Sequence, residues 1–136
     1  MTGIIQLIGR IMLALIFILS GVGKTFDTAG TAGYMQNFGV PGELLWPSII
    51  FEVIAGICVA IGYNTRWAAF SLAIFSIVTA VIFHRNFGQD VQMYLFLKNI
   101  AMAGGLMLLA TGGHTAFSVD NRRNQSDFFG TRQERR

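Results

Sequence analysis

Apolar residues in this chain run in long blocks instead of alternating with polar ones. The blocks are IIQLIGRIMLALIFILSGVGK (4–24), LWPSIIFEVIAGICVAIGY (45–63), WAAFSLAIFSIVTAVIFHRN (67–86) and MYLFLKNIAMAGGLMLLATG (93–112). A helix rises about 1.5 Å per residue, so about 20 mostly apolar residues cross the roughly 30 Å of bilayer hydrocarbon. The pattern therefore predicts an all-α, polytopic four-helix membrane bundle over residues 1–112, followed by a tail at 113–136. The first block does not read as a signal peptide: no Lys or Arg precedes it, Arg10 interrupts it, and no A-x-A-like site follows. Between the first two spans, Asp27 or Thr28 can cap a short helix, and Gly39 with Pro41 can stop it. Ala32, Met35 and Phe38 share a face, which predicts a helix over 28–38, lying on the membrane surface or covering a site.

Composition agrees with this class. Of the 136 residues 53% are apolar and 12% charged, about half the charged share of a soluble domain. The single cysteine, Cys58, excludes an intrachain disulfide framework. Charge sets the expected direction of threading. Arg122, Arg123, Arg132, Arg135 and Arg136 crowd the tail, which carries +2 of the net +3. Arg66 lies in the second loop, whereas Asp27, Glu43 and Asp90 lie on the other side. The positive-inside bias then places both termini in the cytoplasm of an inner (plasma) membrane. Trp46, Tyr94, Phe26 and Phe87 would form the outer aromatic belt, and Tyr63 and Trp67 the inner one. A basic tail beside a hydrophobic body reads as a membrane flank, with no nucleic-acid motif in the chain.

Polar groups at membrane depth are costly and normally face the bundle interior. Helical spacing puts Arg10, Leu13, Phe17, Ser20 and Lys24 on one stripe of the first span. Ser48, Glu52, Ala55, Gly56 and Val59 form a stripe on the second, and Ala69, Ala73, Ser76, Ala80 and His84 on the third. On the fourth, Lys98, Ala101, Gly105 and Gly112 align, with Asn99 beside them. Small residues mark close helix contact in lipid, so the ionisable groups should converge on the bundle axis. All but Arg10 fall in the outer half, and Glu52 is within reach of Arg10 or Lys98 as its counter-ion. Two readings follow: a buried network fixing helix register, or a polar pocket facing the outer side. His84, which a purely structural network does not require, favours the pocket.

Other chemistries fail on spacing. Gly23-Lys24-Thr25 resembles the end of a P-loop, but the required earlier glycine is Ile18. His84 and His114 lie at opposite ends of the bundle, too far apart for one haem or a shared metal site. Cys58 sits among apolar neighbours, where a thiol is usually inert packing.

Several local motifs recur together: Gly9-Arg10, Ser20-Gly21-x-Gly23-Lys24, Phe38-Gly39-x-Pro41, Glu52-x-x-x-Gly56, Gly62 with Thr65-Arg66, His84, Phe96-x-Lys98-Asn99 and Ser118-x-Asp120. In this order and spacing, over residues 5 to about 122, the chain resembles the DoxX family of small bacterial and archaeal four-helix membrane proteins. Some members are named as subunits of thiosulfate:quinone oxidoreductases, and others are associated with redox and sulfur-handling enzymes. The resemblance implies a quinone-interacting or redox-accessory subunit with no cofactor motif of its own. In it His84 and Glu52 would transfer protons, Arg10, Lys24, Lys98 and Asn99 would line the pocket, and a quinone or lipid would be the ligand. A redox or sulfur-handling enzyme would be its partner, beside the lipid bilayer. Two alternatives stand beside it: a non-enzymatic scaffold or assembly factor, and a small-solute or proton pathway formed by a homo-oligomer.

Overall fold

The computed structural model describes residues 1–112, 115 and 117–123; His114 and residues 124–136, with most of the basic tail, lie outside the described residues. The described part is all-helical: α1 (Thr2–Lys24), α2 (Thr28–Asn37), a 3-10 turn (Gly42–Leu44), α3 (Leu45–Ile61), α4 (Thr65–Phe83) and α5 (Asp90–Thr111). α1, α3 with its preceding turn, α4 and α5 are each long and apolar enough to cross a membrane.

The burial pattern is that of a protein in lipid. Small side chains fill the centre: Ala14, Ala55, Ala69, Ala73, Ala103 and Ala110 pack around Phe17, Val59, Leu72 and Leu106. Large apolar side chains such as Ile5, Leu15, Ile54, Phe70 and Leu108 point outward. In water this arrangement would be unfavourable, whereas in hydrocarbon it costs nothing and lets backbones approach closely. α1 and α3 show that approach. A Cβ added at Gly21 would stand 2.7 Å from Val53, and one at Gly56 would stand 2.9 Å from Ile18.

Two tight pairs result, α1 with α3 and α4 with α5, joined mainly through α3 and α4. The α3–α4 turn is short because Gly62 (φ 73°) and Asn64 (φ 47°) both adopt the left-handed conformation. α1 touches α5 only sparsely, and Leu13 packs on Gly105 at that contact. Away from this point, toward the end bearing the α1–α3 and α4–α5 loops, the two pairs part.

α2 covers the space they leave. Asp27 caps it, its carboxylate accepting from Gly30 N at 2.9 Å, and Gly39 (φ 76°) ends it. Met35 packs with Leu45 and Ile49, and Tyr34, Phe38 and Phe83 form an aromatic cluster. The helix expected at 28–38 is therefore docked on α3 and α4 as a roof.

The small-residue stripe misjudged one helix. On α5 the buried positions are Ala103, Leu106 and Ala110, whereas Lys98 and Ala101 are exposed. α5 packs mainly on α4, and the stripe through Lys98, Ala101 and Gly105 instead marks the edge of α5 that faces α1.

Candidate functional site

Between the parted helix pairs lies a cavity of about 570 Å³, within the range of small-ligand sites. Its walls are mostly apolar: Ile16 and Phe17 from α1, Phe51 from α3, Phe75 and Ile82 from α4, and Met102 from α5. Thr31, Tyr34 and Met35 of α2 form the roof. Into this apolar space project Lys24, Glu52, His84, Lys98 and Asn99, brought together from three helices, α1, α3 and α5, and the loop that follows α4.

Glu52 is 1% exposed and is held by an ion pair to Lys24, the last residue of α1. The counter-ion expected for Glu52 was Arg10 or Lys98. The structure supplies Lys24 instead, because Gly21 lets α1 lie directly against the turn of α3 that carries Glu52. The Lys24 ammonium also stands 6.0 Å from the centre of the Phe75 ring. It thus bridges three helices: its own, that of its carboxylate and that of an aromatic face.

Asn99 is fixed on both sides. Its carbonyl oxygen accepts from Ser76 at 3.1 Å, and its amide nitrogen donates to Leu95 O at 3.0 Å. One amide hydrogen is left over. His84 caps the end of α4, and its Nδ1 pairs with Gln92 Oε1 of α5 at 2.9 Å. Sequence reasoning passed over Gln92, because a lone glutamine near a helix start carries no signal until the histidine facing it is placed. Lys98 makes no hydrogen bond or ion pair among the described residues.

Arg10, expected in the same pocket, is elsewhere. It is 2% exposed at the opposite end of the bundle. There it donates to Ala60 O at 3.1 Å, to Thr115 Oγ1, and to Phe117 O at 2.6 Å. Asp120 completes this latch. Its carboxylate accepts from Asn64 N, Thr65 N and Thr65 Oγ1, each at 2.8 Å, so it caps α4 from outside the helix. Its own backbone N–H donates to Gly62 O at 2.9 Å. Helical spacing put Arg10 on the stripe of Lys24 correctly, but nearly four turns separate the two, and that distance puts them in different sites. The signal for the latch was the Ser118-x-Asp120 motif: Ser118 packs where a Cβ on Gly62 would stand, 2.4 Å away.

The site therefore offers an apolar chamber with an ion pair, a free lysine, a fixed amide and an imidazole. That set can hold a hydrogen-bonding headgroup and exchange protons with it. Among the described residues no group of three or more His, Cys, Asp or Glu is placed to hold a metal ion.

Comparison with known proteins places the chain. The DoxX family model matches residues 5–85. The inner membrane protein YqjF of Escherichia coli strain K12 is 40% identical over 119 residues, covering 88% of this chain and 92% of that protein. The inner membrane protein YphA of the same strain is 36% identical over 126 residues, covering 88% of this chain and 90% of that protein. A more distant match, 30% over 83 residues, is to the ER-derived vesicles protein ERV29 of Saccharomyces cerevisiae, covering 57% of this chain and 27% of that protein. No solved structure matches the chain. With four membrane-length helices and matches of this extent, the chain is an integral membrane protein of the DoxX family.

Proposed function

We propose that this protein binds the headgroup of a membrane-borne quinone in the cavity and serves as a quinone-interacting, redox-accessory subunit of the inner membrane. The cavity carries the proposal: an apolar chamber at membrane depth with a few convergent donors and two groups able to handle protons. A quinone carbonyl can accept from Lys98 and from the spare amide hydrogen of Asn99. The isoprenoid tail suits walls built from Phe17, Phe51, Phe75 and Met102. In this reading Glu52, released from its pair with Lys24, and the imidazole of His84 give or take the protons that accompany a change of quinone redox state. The electrons themselves belong to the quinone and to a partner enzyme.

Membrane orientation belongs to the same proposal. Both termini and Arg66 face the cytoplasm by the positive-inside rule, and the cavity then opens to the outer half of the membrane. A blind chamber favours binding over a through-pathway. Below it, Ala14, Val59, Leu72, Ala73 and Leu106 are packed without exposure, and the Arg10 latch covers the far end.

Native mass spectrometry of the purified protein with decylubiquinone tests the proposal. One quinone should bind per chain, and Ser48→Phe, which fills the cavity, should abolish it. Equal binding to wild type and Ser48→Phe would overturn the proposal.

A further inference from the structure

Charge in the cavity does not balance. Lys24 and Glu52 neutralise each other, and Lys98 is left as a cation with no partner among the described residues. It is also deep: it lies about 4 Å from the midpoint of α5, at about 1.5 Å per residue. A charge at such depth ordinarily finds a partner, and its presence without one marks a functional position.

Its direction is defined as well. Lys98 shares the α5 face of Gly105, where Leu13 of α1 makes contact, and lies two turns closer to the loop end. Ser20 and Lys24 continue the Leu13 stripe on α1. Ser20 and Lys98 are both exposed and both line the cavity, so they border a lateral opening between α1 and α5. In a membrane that opening faces lipid.

We propose that the cavity contains an anion subsite at Lys98 and takes a single-chain amphiphile with an oxyanion head, drawn in from the bilayer between α1 and α5. A bilayer phospholipid does not fit this role. Its phosphate stays at the interface, roughly 15 Å from the midplane, so a group that meets Lys98 has to be carried inward. A chamber of about 570 Å³ suits one chain and a small head. The opposed Lys24 is already committed to Glu52, which leaves Lys98 to select the charge. This proposal rests on the cavity being a ligand site, but not on the ligand being a quinone.

Titration of the full-length protein in neutral detergent, followed by native mass spectrometry, gives the test. The probes are oleate for a carboxylate head, oleoyl lysophosphatidylglycerol for a phosphate head, and monoolein as the neutral control. At least one anion should bind tenfold or more tightly than monoolein, and the tighter of the two identifies the head chemistry. Lys98→Gln should remove the preference, bringing both anions to the affinity of monoolein in the same variant, and Lys98→Arg should retain it. Equal affinities for all three probes in the wild type would overturn the proposal, as would an anion preference that survives in Lys98→Gln. Decylubiquinone binding without anion preference would remove the subsite and leave the quinone proposal standing. The reverse result would do the opposite, and no binding of any probe would remove both.

Discussion

Glu52 owes its position to two neighbours: a glycine that lets α1 come close and a lysine one turn further along α1. Buried ion pairs add little net stability, but stranding one partner is costly, about 3–5 kcal/mol in known cases. Glu52→Ala should therefore lower thermal stability in detergent far more than Glu43→Ala, which removes an exposed acid. Replacing both members by Met should restore much of the loss, because no charge is then left unpaired. Equal melting of Glu52→Ala and Glu43→Ala would contradict the burial of the pair. The need for a basic partner was legible in the sequence, since a carboxylate at that depth cannot stand alone. The identity of the partner was not. Depth counted along each helix ignores how far neighbouring helices slide past one another, and α1 is shifted so that Lys24 reaches Glu52.

Each helix carries its own evidence of why it sits where it does. α4 begins at a left-handed Asn64 and is capped by Asp120, a residue 55 positions away from Thr65 in sequence. Losing a cap costs about 0.5–2 kcal/mol. Asp120→Ala should cost an amount in this range, and amide exchange should rise first at Asn64 and Thr65. A uniform rise across α4 would contradict a capping role. Gly62→Ala should be at least as damaging, because it combines a left-handed backbone with a clash against Ser118 and Arg10. The four spans and the α2 helix were readable from hydropathy, caps and stop signals. The inward face of α5 was not. Its alanines and glycines lie all round the helix, so small size alone could not separate the α4 contact at Ala103, Leu106 and Ala110 from the edge at Ala101 and Gly105.

The described residues form two helix pairs pinned together at the end that holds the start of α1 and residues 117–123 and spread at the other, where α2 spans the gap. That geometry explains why one end holds a packed latch around Arg10 and the other a chamber around the Lys24–Glu52 pair. If the termini are cytoplasmic, cysteines introduced at Asn37 or Gln89 in a Cys58→Ser background should react with an impermeant thiol reagent in spheroplasts. Cysteines at Thr2 or Ser126 should not. Reversed labelling would invert the orientation and direct the cavity to the cytoplasmic half.

Photo-crosslinking with an azido-quinone in native membranes, followed by peptide mapping, tests the central claim most directly. The chamber between the helix pairs predicts adducts confined to its lining, 16–24 of α1, 31–35 of α2, 44–52 from the 3-10 turn into α3, 75–84 at the end of α4 and 98–102 of α5, suppressed by excess decylubiquinone. Adducts spread over the lipid-facing residues of α1 such as Ile5, Ile8 and Leu15, and insensitive to competitor, would contradict it.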